Sequence, residues 1–159
     1  MCKSNKIAIW YSAITLVATF LLGQILLILY PNGNTTGSSV LFILMNLVPM
    51  IVAIFFSKYE KSKKVLKDMF LQHEKLTPYL LTIGSIALYY GISIILRNVA
   101  FTGGTILAFL SYIPWTILQG GLEECGWRWY LQTKLKINNF AVKMFVISII
   151  WFLWHIPVY

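Results

Sequence analysis

Apolar residues fall into five runs separated by short polar breaks. Residues 7–30 carry no charge. A helix needs about 20 residues to cross the hydrocarbon core, and this run exceeds that length. Pro31-Asn32-Gly33 and the Asn, Thr, Gly and Ser residues up to Ser39 are turn chemistry and predict a short loop. Residues 40–56 form a second, shorter run, in which Pro49 predicts a kink that neighbouring helices must compensate. Residues 58–75 are strongly charged, with six lysines against Glu60, Asp68 and Glu74. Val65, Leu66, Met69 and Phe70 recur there at helical spacing, so this segment reads either as an amphipathic surface helix or as a solvated loop. A third run covers 76–96, and 97–104 is a loop whose one charge is Arg97. The fourth run, 105–122, leads directly into an acidic pair. After Lys134, Lys136 and a turn at Asn138-Asn139, the fifth run covers 140–159. The pattern predicts an all-α, multi-pass membrane bundle of about five spans, forming a single domain over 1–159. Lys3 and Lys6, the lysines of 58–75, and Lys134, Lys136 and Lys143 all fall on alternate segments, which puts the N-terminus in the cytoplasm.

Composition strengthens this reading. Hydrophobic residues make up 58% of the chain and charged residues 11%. Soluble domains average roughly 25% charged residues. The net charge of +8 therefore points to anionic lipid headgroups beside the spans rather than to nucleic acid, for which no soluble basic face exists. Cys2 and Cys125 are too few for a disulfide framework and lack metal-site spacing, and Cys125 reads as a small apolar packing residue. Lys3 and Lys6 before an apolar run resemble a signal peptide. The run is too long for an h-region, however, and no small-residue cleavage site follows, so it is expected to remain as a span. Asn34-Thr35-Thr36 matches a glycosylation sequon, a short motif that arises readily by chance. His73, among charges, reads as an exposed loop histidine without a catalytic role.

The candidate chemistry lies in Gly120-Gly121-Leu122-Glu123-Glu124-Cys125-Gly126-Trp127-Arg128 and in Trp151-Phe152-Leu153-Trp154-His155-Ile156-Pro157. Charges at membrane depth are costly and usually face a bundle interior or a wet cavity. With Lys134 and Lys143 marking one interface, a rise of about 1.5 Å per residue puts Glu123 about 16 Å deep and His155 about 18 Å deep. The carboxylate and the imidazole thus reach a common level on two antiparallel helices. Glu124 and Arg128, at i and i+4, can pair along one face. Glu123 lies about 100° round the helix and is left free to act with His155 as a general base on water. Gly120, Gly121 and Gly126 would admit a neighbouring helix or a substrate backbone. A structural alternative stays open: the Glu–Arg pair could simply lock helices, and a membrane histidine could be an interhelical hydrogen-bond partner. Trp127, Trp129, Trp151 and Trp154 read as packing residues or interface anchors rather than ligand stackers.

These two stretches resemble known motifs. Glu123-Glu124-Cys125-Gly126-Trp127-Arg128 resembles the EExxxR motif of the CPBP family of intramembrane proteases, which includes type II CAAX prenyl endopeptidases and Abi bacteriocin self-immunity proteins. Trp151 to Pro157 resembles that family's second motif, an aromatic residue four positions before a histidine. The resemblance implies a membrane bundle that hydrolyses a peptide bond in a prenylated or membrane-associated peptide. Glu123 and His155 would activate the water, with Glu124 and Arg128 in support. It also raises Zn²⁺, with Glu123 and His155 as the ligands if any, although a catalytic zinc usually has three protein ligands. The family's third motif, a second histidine followed four residues later by Asn or Asp, does not occur, and Trp129 stands where a glycine is usual. The expectation is thus a fragment or truncated product, inactive as this polypeptide and sited in a cell membrane, expected to be a bacterial plasma membrane. A non-catalytic bacteriocin-immunity or scaffold membrane protein is the alternative. A transporter is weaker, since inverted repeats are absent.

Overall fold

A computed structural model describes residues 3–33, 35–60, 64–71, 75–98 and 103–157. Cys2, Asn34 of the sequon and His73 lie outside the described residues. Among those described, the chain is helical and has no strand. Contacts divide it into two compact units, Met1–Val65 with Pro114–Tyr159, and Leu66–Ile113.

Three helices are long and apolar enough to cross a membrane: α1 (Lys3–Leu29), α2 (Thr36–Tyr59) and α4 (Leu76–Ile95). The other two apolar runs form shorter helices: Ile106–Gly121, opened by α5 (Ile106–Ser111), and Phe140–His155. Among the described residues of the charged segment, α2 continues through Tyr59 and α3 (Val65–Phe70) forms a short helix. In its own unit α4 has no buried side chain and ends in a Schellman cap. Arg97 takes the left-handed conformation there (φ 56°), and Asn98 N–H reaches back to Ser93 O at 2.9 Å.

The first unit holds both motifs. The N-cap of α2, Thr35, lies three residues before a serine that closes the cap: Thr35 Oγ1 accepts from Ser38 N–H at 3.1 Å, and Ser38 Oγ accepts from Thr35 N–H at 3.0 Å. α1 buries Ala8, Tyr11, Ser12, Thr15, Thr19 and Gly23, a stripe repeating every three or four residues. That stripe is small and polar, while Trp10, Val17, Phe20 and Leu21 face outward. This is the arrangement expected where lipid surrounds the bundle and helices associate through close packing and hydrogen bonds. α2 runs through Pro49 as one helix, and α1 braces it there, with Tyr11 O–H donating to Pro49 O at 3.1 Å.

At one end of this unit three segments are tied together. Ser4 Oγ donates to Lys134 O at 2.6 Å, and Lys136 N–H donates to Asn5 Oδ1 at 2.7 Å. Glu60, at the end of α2, pairs with Lys134 Nζ at 2.7 Å and accepts from Tyr130 O–H at 2.9 Å. The last helix of the unit, α8 (Phe140–His155), starts from Asn139, whose Oδ1 accepts from Val142 N–H at 3.1 Å.

Candidate active site

The stretch bearing the acidic motif is not a regular α-helix, a correction to the winding assumed for the depth estimate. After α6 (Ile113–Thr116), residues Ile117–Gly121 are π-helical, and Leu122 N–H bonds to Ile117 O at 3.0 Å, five residues back. A second π-helical stretch, Cys125–Leu131, follows and closes into α7 (Gln132–Lys134). Gly120 and Gly121 have weak α-helix preference, so a wider turn costs least there. Such π insertions are frequent at functional sites. A wider turn also advances less per residue, so Glu123 lies shallower, measured from Lys134, than α-winding implies.

Each motif residue then has a definite place. Glu123 is buried, with 7% of its surface exposed. Glu124 and Arg128 form the expected pair, Nε to Oε2 at 2.7 Å, with the guanidinium largely exposed. Gly126 is where the motif meets α1 and α2: a Cβ added there would come within 2.6 Å of Pro49 Cβ and collide with the Tyr11 hydroxyl. Gly120 differs, since an added Cβ would meet no described atom within 4 Å. Trp127 is fully buried, edge-on to Tyr11 (centroids 5.9 Å apart) and to Trp154 (5.8 Å). Trp154 is equally buried and donates its indole N–H to Thr19 Oγ1 at 3.0 Å. The tryptophans of greatest burial are thus packing residues.

This arrangement gives the second motif a physical meaning. Trp154 fixes α8 against α1 and against Trp127 of the first motif. Trp151, one turn earlier, holds the imidazole: His155 Nδ1 lies 2.8 Å from Trp151 O, and the two rings are 3.9 Å apart. A carbonyl oxygen only accepts, so Nδ1 carries the proton in that bond, and in a neutral ring Nε2 then presents a lone pair. Between the two helices lies a cavity of about 170 Å³ lined by Trp127, Arg128, Met144, Ile147, Ser148 and Trp151. Among the described residues neither Glu123 nor His155 lines it. The structure therefore joins the motifs through Trp127 and Trp154 and pairs Glu124 with Arg128. Glu123 is inside the unit, and His155 is partly exposed near the end of α8.

Some polar groups beside the site escaped sequence reading. Asn46 is 1% exposed; its Nδ2 donates to Phe42 O at 2.8 Å, and its Oδ1 has no hydrogen-bond partner among the described residues. It is the one polar side chain in 40–56, which was the available signal, because a buried amide inside an apolar helix marks an interhelical or functional contact. The Trp127 indole N–H is likewise buried without a partner among those residues. No three of the described His, Cys, Asp and Glu residues cluster so as to hold a metal ion. Among the described residues the donor set does not fit a catalytic zinc with three protein ligands.

Fold and site together define a helical membrane protein whose acidic and histidine motifs sit on two packed helices. Residues 105–159, about a third of the chain and including both motifs, match the family described as Type II CAAX prenyl endopeptidase Rce1-like. Over the C-terminal third, this match bears out the resemblance to the CPBP/CAAX-protease family. No curated protein and no solved structure matches the chain.

Proposed function

We propose that this chain carries the water-activating residues of a membrane endopeptidase acting on a membrane-associated peptide. The observation that carries the reading is the Trp127–Trp154 contact, which packs the Glu123 helix against the His155 helix inside a segment matching the family. Glu123 accepts a proton from water, and the water oxygen attacks the peptide carbonyl. The proton then passes to the departing amine as the C–N bond breaks. His155, oriented by Trp151, presents Nε2 to the same water or to the carbonyl intermediate. Glu124 and Arg128 hold one carboxylate in an ion pair and so leave the other as the base. The setting is a cell membrane, and by the resemblance to self-immunity proteins a bacterial one, with lipid and a peptide or protein substrate as partners.

The test is cleavage of a membrane-anchored peptide by the protein as its gene encodes it, reconstituted in lipid. Glu123→Gln and His155→Ala are each expected to lower the rate by about 100-fold or more, the order of loss seen when a positioned acid–base group is removed. Unchanged cleavage in both variants would remove the reading. The non-catalytic alternative, a bacteriocin-immunity or scaffold role, gains if Glu123→Gln retains full protection in a bacteriocin challenge.

A further inference from the structure

Outside the motif region, α1 and α2 leave a groove of about 420 Å³ between them. Lys3 and Lys6 stand at its mouth, and Trp10, Ile14, Phe55 and Tyr59 are among its walls. The walls are apolar yet open: Trp10 is 64% and Phe55 66% exposed. Neither lysine forms an ion pair among the described residues. The nearby carboxylate of Glu60 is already committed to Lys134 and Tyr130. Ser4 and Asn5, between the two lysines in sequence, are bonded to Lys134 and Lys136, so the mouth is held in place by the bundle.

We infer that this groove is a binding site for one anionic phospholipid, its phosphate between Lys3 and Lys6 and one acyl chain along the apolar walls. Length supports that occupant. From Lys3 to Ile14 the helix advances about 16 Å, at about 1.5 Å per residue. That is close to half the ~30 Å hydrocarbon core and so the depth of one leaflet. Charge supports it as well, because two unpaired ammonium groups at the interface favour anionic over zwitterionic headgroups. Trp10 and Tyr59 are of the aromatic types that settle at headgroup level. A soluble anion would have no use for the apolar walls, and a neutral apolar ligand none for the lysines. The inference is independent of any catalytic role.

Native mass spectrometry of the full chain released from detergent tests it, with phosphatidylglycerol and phosphatidylcholine added in equal amounts. The wild type should retain phosphatidylglycerol several-fold more than phosphatidylcholine. Lys3→Gln with Lys6→Gln should abolish that preference, and Ile14→Trp, which fills the groove, should lower retention with both lysines present. Lys143→Gln removes a charge from α8, which does not line the groove, and should change nothing. An equal loss in that control would mean diffuse attraction and overturn the site. So would displacement of the lipid by inorganic phosphate, or equal retention of both lipids by the wild type.

Discussion

Gly126 occupies the tightest point of the first motif, and one methyl group there has nowhere to go. Pro49 backbone C and Cβ would each lie 2.6 Å from it, and the Tyr11 hydroxyl that bonds Pro49 O would have to leave. Overpacking of this kind costs about 1–3 kcal/mol. Gly126→Ala should therefore lower the thermal midpoint in detergent by several degrees, whereas Gly120→Ala, with open space around it, should leave the midpoint unchanged or raise it. Equal behaviour of the two variants would contradict the packing described. Spacing made three glycines look alike, and the difference between them comes from α1 and α2, which lie far away in the chain. By contrast, the Glu124–Arg128 pair was legible beforehand, because four residues along a helix already fix that neighbourhood. Asn46 and the Ser12, Thr15 and Thr19 stripe were less so: they stand in runs whose overall hydropathy hides which side turns inward.

At the scale of elements, helical runs were readable from apolar length, while their winding was not. Nothing in a hydropathy pattern distinguishes an α-turn from a π-turn, since both keep apolar residues on one side. The second π-helical stretch, Cys125–Leu131, nevertheless decides how Glu123 and Glu124 are placed relative to the buried Trp127 and Tyr130. Deleting Cys125 would remove a residue between them and turn the acidic pair by roughly a quarter-turn against that anchor. If the catalytic proposal holds, the deletion should reduce cleavage to background while circular dichroism reports unchanged helix content. Cys125→Ala keeps the count and should retain at least half the rate, in keeping with a cysteine that only packs. A deletion variant that still cleaves at the normal rate would mean the π-winding has no part in the site. α2 was also longer than its apolar core suggested, because the Thr35–Ser38 cap lets the helix begin in polar sequence.

For the molecule as a whole, the lysine distribution and the bonded end of the first unit give two separate routes to one topology. Lysine asymmetry assigns the N-terminus and residues 134–143 to the same side. Ser4 on Lys134, Asn5 on Lys136 and Glu60 on Lys134 bring the starts and ends of three segments to one end of the unit without reference to charge counting. α1 has 27 residues. At about 1.5 Å per residue it is about 40 Å long, which carries the chain to the opposite face before Pro31. In a background lacking Cys2 and Cys125, Asn32→Cys should react with a membrane-impermeant maleimide in intact cells. Lys6→Cys and Lys136→Cys should react only after permeabilisation. If the pattern inverts while Lys6 and Lys136 still behave alike, the bonded end stands and only the charge rule misassigned the compartment. If Lys6 and Lys136 label from different sides, the hydrogen bonds joining α1 to the segment after Lys134 are wrong, and the packing that brings the two motifs together loses its frame.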